Sequence, residues 1–466
     1  MRYTQCKMGK LGGPAVTMPE IARLAGRVID IRIDQLKWYS MHPRITVILP
    51  TYNWSSALRL AMTSLTAQSF TNFEALVVGD GCTDDSEAVV QSFRDPRVTW
   101  HNLPERIGSQ SGPNNFALQR ATGDYIAYLG HDDIWHPDHL SLLLEILQQQ
   151  KADLATSACV MYGPPGSGVR GLSGVFVKGE YRKQDFFPPS AWMHRRELVE
   201  RIGLWRLPQD ITAPVDCDFL DRVRESGAAI VSSKRLTVFK FNAAWRRDSY
   251  LRKDAGEQAS ILERLRANPS GCVESELIGM LQAFRESNLF DTQMPTDPTL
   301  PAGHYFQINN RIRGLASPDL ATIHQAMLIL PDDQPQGLEW HALEHSPEHG
   351  AIRWSGPSPE SWMVLPFATP SSFLLRIRLL NWLNVPVEHE VKVYVNDQLI
   401  NMECEPSVSP AVTLRSINPI SDHSGKALRI RLEVAKLRSP YFDTDGQSSD
   451  RRWLGVCLNW VEIVPH

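Results

Sequence analysis

Ile45-Thr-Val-Ile-Leu-Pro-Thr-Tyr-Asn53, Leu76-Val-Val-Gly-Asp-Gly-Cys-Thr-Asp-Asp-Ser86 and Tyr125-Ile-Ala-Tyr-Leu-Gly-His-Asp-Asp-Ile-Trp135 decide how this chain folds. Each is a short apolar run, rich in β-formers, that breaks into polar residues, Gly or Pro. Stretches with helical spacing lie between them, so the order is strand, helix, strand, helix, strand. That alternation predicts a parallel sheet covered on both faces, with ligand bound beyond the carboxyl ends of its strands. The polar residues fall at those ends, and the chemistry is expected there.

Outward from this core, the bulk properties set limits. At 466 residues the chain exceeds one ordinary core, so two or three domains are expected. Hydrophobic content of 42% and charged content of 21% are those of a globular protein. A net charge of -4 gives no ground for nucleic acid or an anionic membrane as the main partner. No run approaches the ~18 apolar residues needed to cross a bilayer. Met1–Pro19 carries Lys7 and Lys10 with no apolar segment after them, which does not fit a secretory signal. Seven cysteines, never in Cys-x-x-Cys spacing, read as free thiols in a reducing compartment. The expected location is cytoplasmic, with peripheral contact at the inner face of a membrane left open.

Along the chain, Thr17 and Glu20 fit a capping box, and Ile21, Leu24, Ala25, Val28, Ile31 and Leu36 form an apolar face at helical spacing. Residues 1–43 are therefore expected as a helical extension, packed on the main domain or on a second copy of the protein in a homo-oligomer. Residues 44–250 hold the α/β domain. Its helices are expected over 57–68, 84–93, 111–121, 138–150 and 217–226, and Asp84 or Asp85 is placed as an N-cap. Residues 251–334 read as a helical linker, with helices over 249–267 and 275–286 and a boundary at Pro295, Pro298 and Pro301. After about residue 335 the period switches from 3.6 to 2. Phe373, Leu375, Ile377 and Leu379 alternate with polar residues, as do Val391, Val393 and Val395 before the turn Asn396-Asp397, and Leu428, Ile430, Leu432 and Val434. Residues 335–466 thus predict an antiparallel β-sandwich. It is assigned to glycan binding or assembly, with Trp354, Trp362, Trp382 and Trp460 read first as core.

Several residues at the strand ends suit particular chemistry, and each also has a plain structural reading. Pro50-Thr-Tyr-Asn53 is a turn with a buried Tyr and a turn-forming Asn. Asp80 suits a hydrogen bond from a uracil or thymine ring N–H, and equally an Asx-turn. Arg106-Ile-Gly-Ser-Gln-Ser-Gly112 is a basic residue before a Gly-rich helix start, suited to phosphate or ribose, or else a solvated loop. Asp132 and Asp133 are adjacent carboxylates, costly to hold together without a cation. A divalent metal bridging diphosphate oxygens would offset that repulsion. Asp133 also reads as a helix cap. Asp216 and Asp218 at a helix start serve as a general base or as caps. Arg246 and Arg247 suit closure over a diphosphate. Asp443–Asp450 lacks the EF-hand spacing and reads as a polar turn.

With these segments in view, residues 44–250 resemble the family 2 glycosyltransferases, whose nucleotide-sugar-binding fold is called GT-A. The resemblance implies an α/β, mostly parallel sheet and assigns roles. Pro50, Thr51, Tyr52 and Asn53 line the nucleoside pocket. Asp80 contacts the base, with Gly79 replacing the first of two acids. Arg106, Asn114 and Asn115 lie near the donor, with Asp133 and Arg246 beside its diphosphate. Asp132 matches the second acid of the Asp-x-Asp motif, the direct ligand of Mn²⁺ or Mg²⁺, with Gly130 replacing the first. Asp216 matches the general base, Val215 replaces its neighbouring Glu, and Asp218 and Arg222 match the remaining pattern. The absence of Gln-x-x-Arg-Trp implies addition of a single sugar. The implied activity is inverting transfer from a UDP-sugar to a glycan or lipid-linked acceptor in surface polysaccharide biosynthesis. Two rivals stand beside it. One is a silent GT-A scaffold or glycan-binding protein, favoured by Gly79 and Gly130. The other is a sugar nucleotidyltransferase, which needs a Gly-rich, Lys-containing loop where Pro50–Asn53 stands.

Overall fold

The computed structural model describes residues 43–176, 181–182, 185–290, 301–315, 321–331, 339–368, 370–380, 391–405, 411–422 and 427–466. The helix expected within 17–39, Trp382, Pro295 and Pro298 lie outside these residues.

The opening stretches form β1 (Ile45–Thr51), α1 (Ser55–Thr66), β2 (Phe73–Gly79), α2 (Ser86–Ser92), β3 (Val98–Asn102), α3 (Ser111–Leu118) and β4 (Tyr125–Tyr128). The four strands are parallel and ordered β4-β1-β2-β3. Their near-continuous apolar character has a direct cause. Successive side chains point to opposite faces, and both faces are covered. Ile45, Val47, Leu49, Ala75 and Val77 join one core with Leu58 and Met62 of α1. Ile48, Leu76 and Val78 join the other with Ala117 and Leu118 of α3.

The sheet continues through β5 (Ile134–Trp135), α4 (His139–Gln149), β6 (Leu154–Tyr162), β7 (Arg170–Ser173), β8 (Trp192–Arg195), α5 (Glu197–Ile202), α6 (Val215–Glu225) and β9 (Ile230–Lys240). β8 runs antiparallel between β4 and β6, while β9 pairs parallel with β6 and antiparallel with β5. This is the expected α/β arrangement, a mostly parallel sheet with a mixed far half.

The region expected as a linker belongs mostly to this first body. It holds α7 (Ser249–Arg252), α8 (Gly256–Ala267), α9 (Pro269–Arg285), β10 (Leu289–Phe290) and α10 (His304–Arg313). The single helix expected over 249–267 is broken because Lys253 is left-handed, with φ of 51°. Asn268 caps α9 by accepting from the Gly271 N–H, and Pro269 takes its first position. Ile261, Leu262, Leu265, Cys272 and Met280 share a core with Val160 and Phe239, and β10 pairs with β7 as an added edge strand. Burial against the sheet, which the Pro-rich stretch hid, makes these helices part of the domain.

The C-terminal half forms β11 (Ala321–Thr322), β12 (Met327–Ile329), β13 (Trp340–Ser346), β14 (Gly350–Ser355), β15 (Glu360–Ala368), β16 (Ser372–Leu380), β17 (Val391–Val395), β18 (Gln398–Ile400), β19 (Met402–Glu405), β20 (Ala411–Ser416), β21 (Ile420–Ser421), β22 (Ala427–Val434) and β23 (Cys457–Pro465). They make a five-stranded and an eight-stranded sheet. Antiparallel pairing dominates both, and β11 and β12 bring the sandwich's start forward of residue 335. Phe373, Leu375, Ile377 and Leu379 meet Leu428, Ile430, Leu432 and Val434 in one core, so the period of two was read correctly. Asn396 and Asp397, with φ of 47° and 69°, turn β17 into β18.

Candidate active site at the strand ends

The carboxyl ends of β1, β2 and β4 meet in a set of interlocked turns. Asn53 bridges the first two. Its side-chain oxygen accepts from the Thr83 and Asp84 N–H groups at 2.7 and 3.2 Å, and its Nδ2 donates to Thr83 Oγ1 at 3.1 Å. Asp84 satisfies the first N–H of two helices, accepting from the Ser55 N–H of α1 and the Ser86 N–H of α2. Thr51 is buried, and its hydroxyl has no partner among the described residues.

Tyr52, Trp54, His131 and Tyr250 gather beside these turns. Trp54 packs edge-on to His131 and Tyr250, with ring centroids 6.0 and 5.4 Å away, and Tyr52 lies 6.1 Å from Tyr250. His131 Nδ1 lies 3.2 Å from the Pro50 carbonyl and Nε2 lies 3.4 Å from the Tyr250 hydroxyl. The Arg106 guanidinium stands 4.4 Å over the Tyr52 ring. Asp80 fixes that loop. Its carboxylate accepts from the Ile107 and Gly108 N–H groups at 2.8 and 2.7 Å. Burial pushes Asp80 up from the ordinary carboxylate range, while those two N–H groups and Arg106 act the other way. The residue therefore anchors the Arg106 loop.

The two adjacent acids separate sharply. Asp133 is fully buried, accepts from Ser190 Oγ, and pairs with Lys240 Nζ at 3.0 Å and the Phe241 N–H at 3.3 Å. It caps no helix among the described residues, and its carboxylate is engaged by Ser190, Lys240 and the Phe241 N–H. Burial works against the charge on Lys240, but the Asp133 and Asp132 carboxylates outweigh it and hold the amine charged. Asp132 accepts no side-chain hydrogen bond among the described residues, and only its backbone carbonyl receives Gln258 Nε2, at 3.3 Å. Gly130 is explained by packing. A Cβ there would lie 2.8 Å from Asp133 Oδ2, so the returning Asp133 occupies the space an acid would need. A Cβ at Gly79 would lie 2.5 Å from Asn102 Oδ1, the group that accepts from the Cys82 N–H.

Asp216 is half-buried in the first turn of α6, accepts from the N–H of Cys217 at 3.1 Å, and has no ion pair among the described residues. Burial pushes its carboxyl up, and the nearby N–H groups, Lys240 and Arg313 act in the opposite sense. Asp218 is instead paired with Arg222 at 3.0 Å and Arg206 at 3.1 Å. Arg222 also donates to the Ile202 carbonyl at 2.6 Å and so ties α6 to α5. Burial pushes the Tyr250 hydroxyl up from its ordinary range, with smaller influences from the charges of Arg313, Asp132, Lys240 and Arg106. Lys240, Trp54, Tyr250 and Arg313 escaped the sequence reading. Only Lys240 carried a signal, as a cation within the otherwise uncharged run Leu236–Phe241 at the end of β9.

Two expected donor contacts are committed elsewhere. Asn115 holds the Trp205 backbone at both ends, donating to its carbonyl at 2.8 Å and accepting from its N–H at 2.9 Å. Arg246 donates to Glu257 and to the Tyr162 and Gly163 carbonyls, binding α8 to the end of β6. Arg247 is buried 3.9 Å from Glu339 of the sandwich.

Residues 46–202 match the family model described as Glycosyl transferase family 2. They form a family 2 glycosyltransferase domain. This domain carries β1 to β8 and all of the residues above up to Ser190. An uncharacterized glycosyltransferase of Rickettsia bellii is 30% identical over 133 residues, 28% of this chain and 18% of that protein. Glycosyltransferase GlyA of Streptococcus pneumoniae serotype 4 is 31% identical over 114 residues, 24% of this chain and 16% of that protein. The chain thus spans less than a fifth of either relative. Among solved structures, Staphylococcus aureus TarS 1-349 in complex with UDP-GlcNAc is 21% identical, covering 48% of this chain and 67% of that one, with a TM-score of 0.38. Mannosyltransferase PcManGT from Pyrobaculum calidifontis, in complex with GDP-Man and Mn²⁺, is 19% identical over 52% of this chain and 76% of that one, with a TM-score of 0.35. Likeness at that level carries no argument about donor or acceptor.

The donor set for a divalent cation is small. No cluster of three or more His, Cys, Asp or Glu suited to a metal occurs among the described residues. Asp132 is the one carboxylate of the pair left open, which fits a cation that draws its other ligands from phosphate and water. No described helix is long and apolar enough to cross a membrane.

Proposed function

We propose that this family 2 domain transfers a single sugar, with inversion, from a UDP-sugar to a glycan or lipid-linked acceptor of surface polysaccharide biosynthesis. The observation that carries this reading is the contrast between two acids one residue apart. Asp218 is neutralised by Arg206 and Arg222, whereas Asp216 has no ion pair among the described residues and is raised by burial. A raised carboxylate is the better proton acceptor near neutral pH, and proton transfer by a positioned base is worth roughly 10²–10⁴-fold. Asp216 takes the proton of the acceptor hydroxyl as its oxygen attacks the anomeric carbon from the face opposite the departing nucleoside diphosphate. Tyr52 and Arg106 offer the base and ribose a flat, cationic wall, and Asp80 and Asn53 keep the two turns that present them in register. Lys240 and Arg313 supply positive charge toward the leaving diphosphate. A Mn²⁺ or Mg²⁺ ion held by Asp132 would add Lewis-acid neutralisation of the same oxygens.

Calorimetric titration with UDP, dTDP and GDP, each with Mn²⁺ and with EDTA, tests the donor reading. UDP binding lost in Asp132→Ala supports it. UDP binding unaffected by EDTA removes the metal from the scheme, and failure of all three nucleotides to bind returns the scaffold reading.

A further inference from the structure

An ion pair joins the β-sandwich to the segment beside the candidate site. Arg429 on β22 donates from Nη1 to Asp248 Oδ2 at 2.6 Å and from Nη2 to Asp397 Oδ2 at 2.6 Å. The hairpin turn fixes Arg429 itself. Its N–H donates to Asn396 Oδ1 at 3.0 Å, and its carbonyl accepts from the Asn396 N–H at 2.8 Å. Asp248 is 6% exposed and left-handed at φ 54°, so an aspartate there is both desolvated and strained unless something holds it. It is also a junction. Its N–H donates to the Ile312 carbonyl at 2.7 Å, and its own carbonyl accepts from the Leu251 and Arg252 N–H groups at 2.8 and 2.9 Å. Two residues beyond Asp248 comes Tyr250, whose hydroxyl lies 3.4 Å from His131 Nε2, and one residue beyond Ile312 comes Arg313, whose charge acts on Asp216 and Tyr250. The same sheet face adds a second hold, since the Arg252 guanidinium lies 5.1 Å over the Trp362 ring of β15.

We propose that Arg429 is a positioning residue for the transferase site: through Asp248 it sets the segment carrying Tyr250 and the end of α10 carrying Arg313. The sandwich then completes the donor site in addition to any binding of its own. The consequence for function rests on the UDP-sugar reading above, whereas the mechanical coupling does not.

The test uses the full-length chain. In Arg429→Met, amide hydrogen exchange at 248–252 and 312–315 is expected to quicken about tenfold, as suits loss of a charged hydrogen bond at a locally opening segment. Exchange in β16 and β23 stays as it was, UDP affinity falls about tenfold, and Arg429→Lys restores part of both. Unchanged exchange at 248–252 and 312–315 in a folded variant overturns the proposal. So does quickened exchange with undiminished UDP affinity, which would make the pair merely structural. If Arg429→Met does not fold, Asp248→Asn, nearly equal in volume, is measured the same way and judged by the same outcomes. Wild-type protein that binds no UDP refutes the donor reading. The exchange data then decide the coupling by themselves.

Discussion

Lys240→Met isolates the electrostatics beneath the candidate site. Asp133 is fully buried, and Lys240 Nζ at 3.0 Å is the counter-charge for it, with Ser190 and the Phe241 N–H as neutral donors. Methionine keeps the length of the lysine stem and removes only the charge. Breaking a buried pair on one side costs about 3–5 kcal/mol. The two remaining donors and partial exposure of the Lys240 side chain, 17%, place the expected loss near the low end, about 3 kcal/mol at neutral pH. At roughly 2–4 °C per kcal/mol for a body of this size, the melting temperature should fall by about 6–12 °C. The loss must depend on pH. Burial and the neighbouring Asp132 already act to raise Asp133, and without Lys240 nothing charged opposes them. A carboxyl whose folded pKa lies above its unfolded value gives stability that is greatest when it is protonated and is lost as pH rises through the folded pKa. Differential scanning calorimetry should therefore show the gap to wild type narrowing from about pH 8 to about pH 5. A drop below about 1 kcal/mol, equal at both pH values, would refute the assignment of Lys240 as the partner of Asp133.

Asp216→Asn should lower kcat by about 10²–10⁴-fold while leaving UDP affinity intact, and turnover close to wild type would dismiss Asp216 as the base. Because burial raises Asp216, the acidic limb of wild-type kcat/KM should lie above the ordinary carboxylate range, with activity falling as pH drops through it; a pH–rate profile checks this. Gly130→Asp, which writes in the missing first acid, should lose about 1–3 kcal/mol of stability against the Asp133 carboxylate instead of improving metal binding, read by melting with and without Mn²⁺. Asn115→Ala should cost about 1–3 kcal/mol through its two bonds to Trp205 yet leave UDP titrations unchanged; weakened UDP binding would return Asn115 to the donor site.

Much of the fold was legible because it follows local rules. Continuous apolar runs announced β1, β2 and β4, since strands covered on both faces have no polar side to show. The alternation of Phe373 to Leu379 and of Leu428 to Val434 announced strands with one covered face. The helices at 256–285 were visible as helices, but their attachment to the first sheet was not, because an apolar stripe does not name its partner. Asp84 was readable as a cap from its place before a helix, whereas its second hydrogen bond, to Ser55, joins residues 29 positions apart.

The candidate site divides in the same way. Sequence by itself determined which acids stand at the strand ends, that a helix begins beside Asp216, and that Gly79 and Gly130 depart from the family pattern. Only the tertiary structure decided what those acids do. It tied Asp133 to Lys240, gave Asp80 to the Arg106 loop, paired Asp218 with two arginines and left Asp132 and Asp216 without an ion pair among the described residues. It also turned Asn115 and Arg246 inward and carried Tyr250, Arg313 and, through Asp248, Arg429 to the site from far along the chain. The physical reason is that a carboxylate's role follows from its unpaired charge and its access to solvent. Both depend on neighbours that folding brings from distant positions, which no local pattern records.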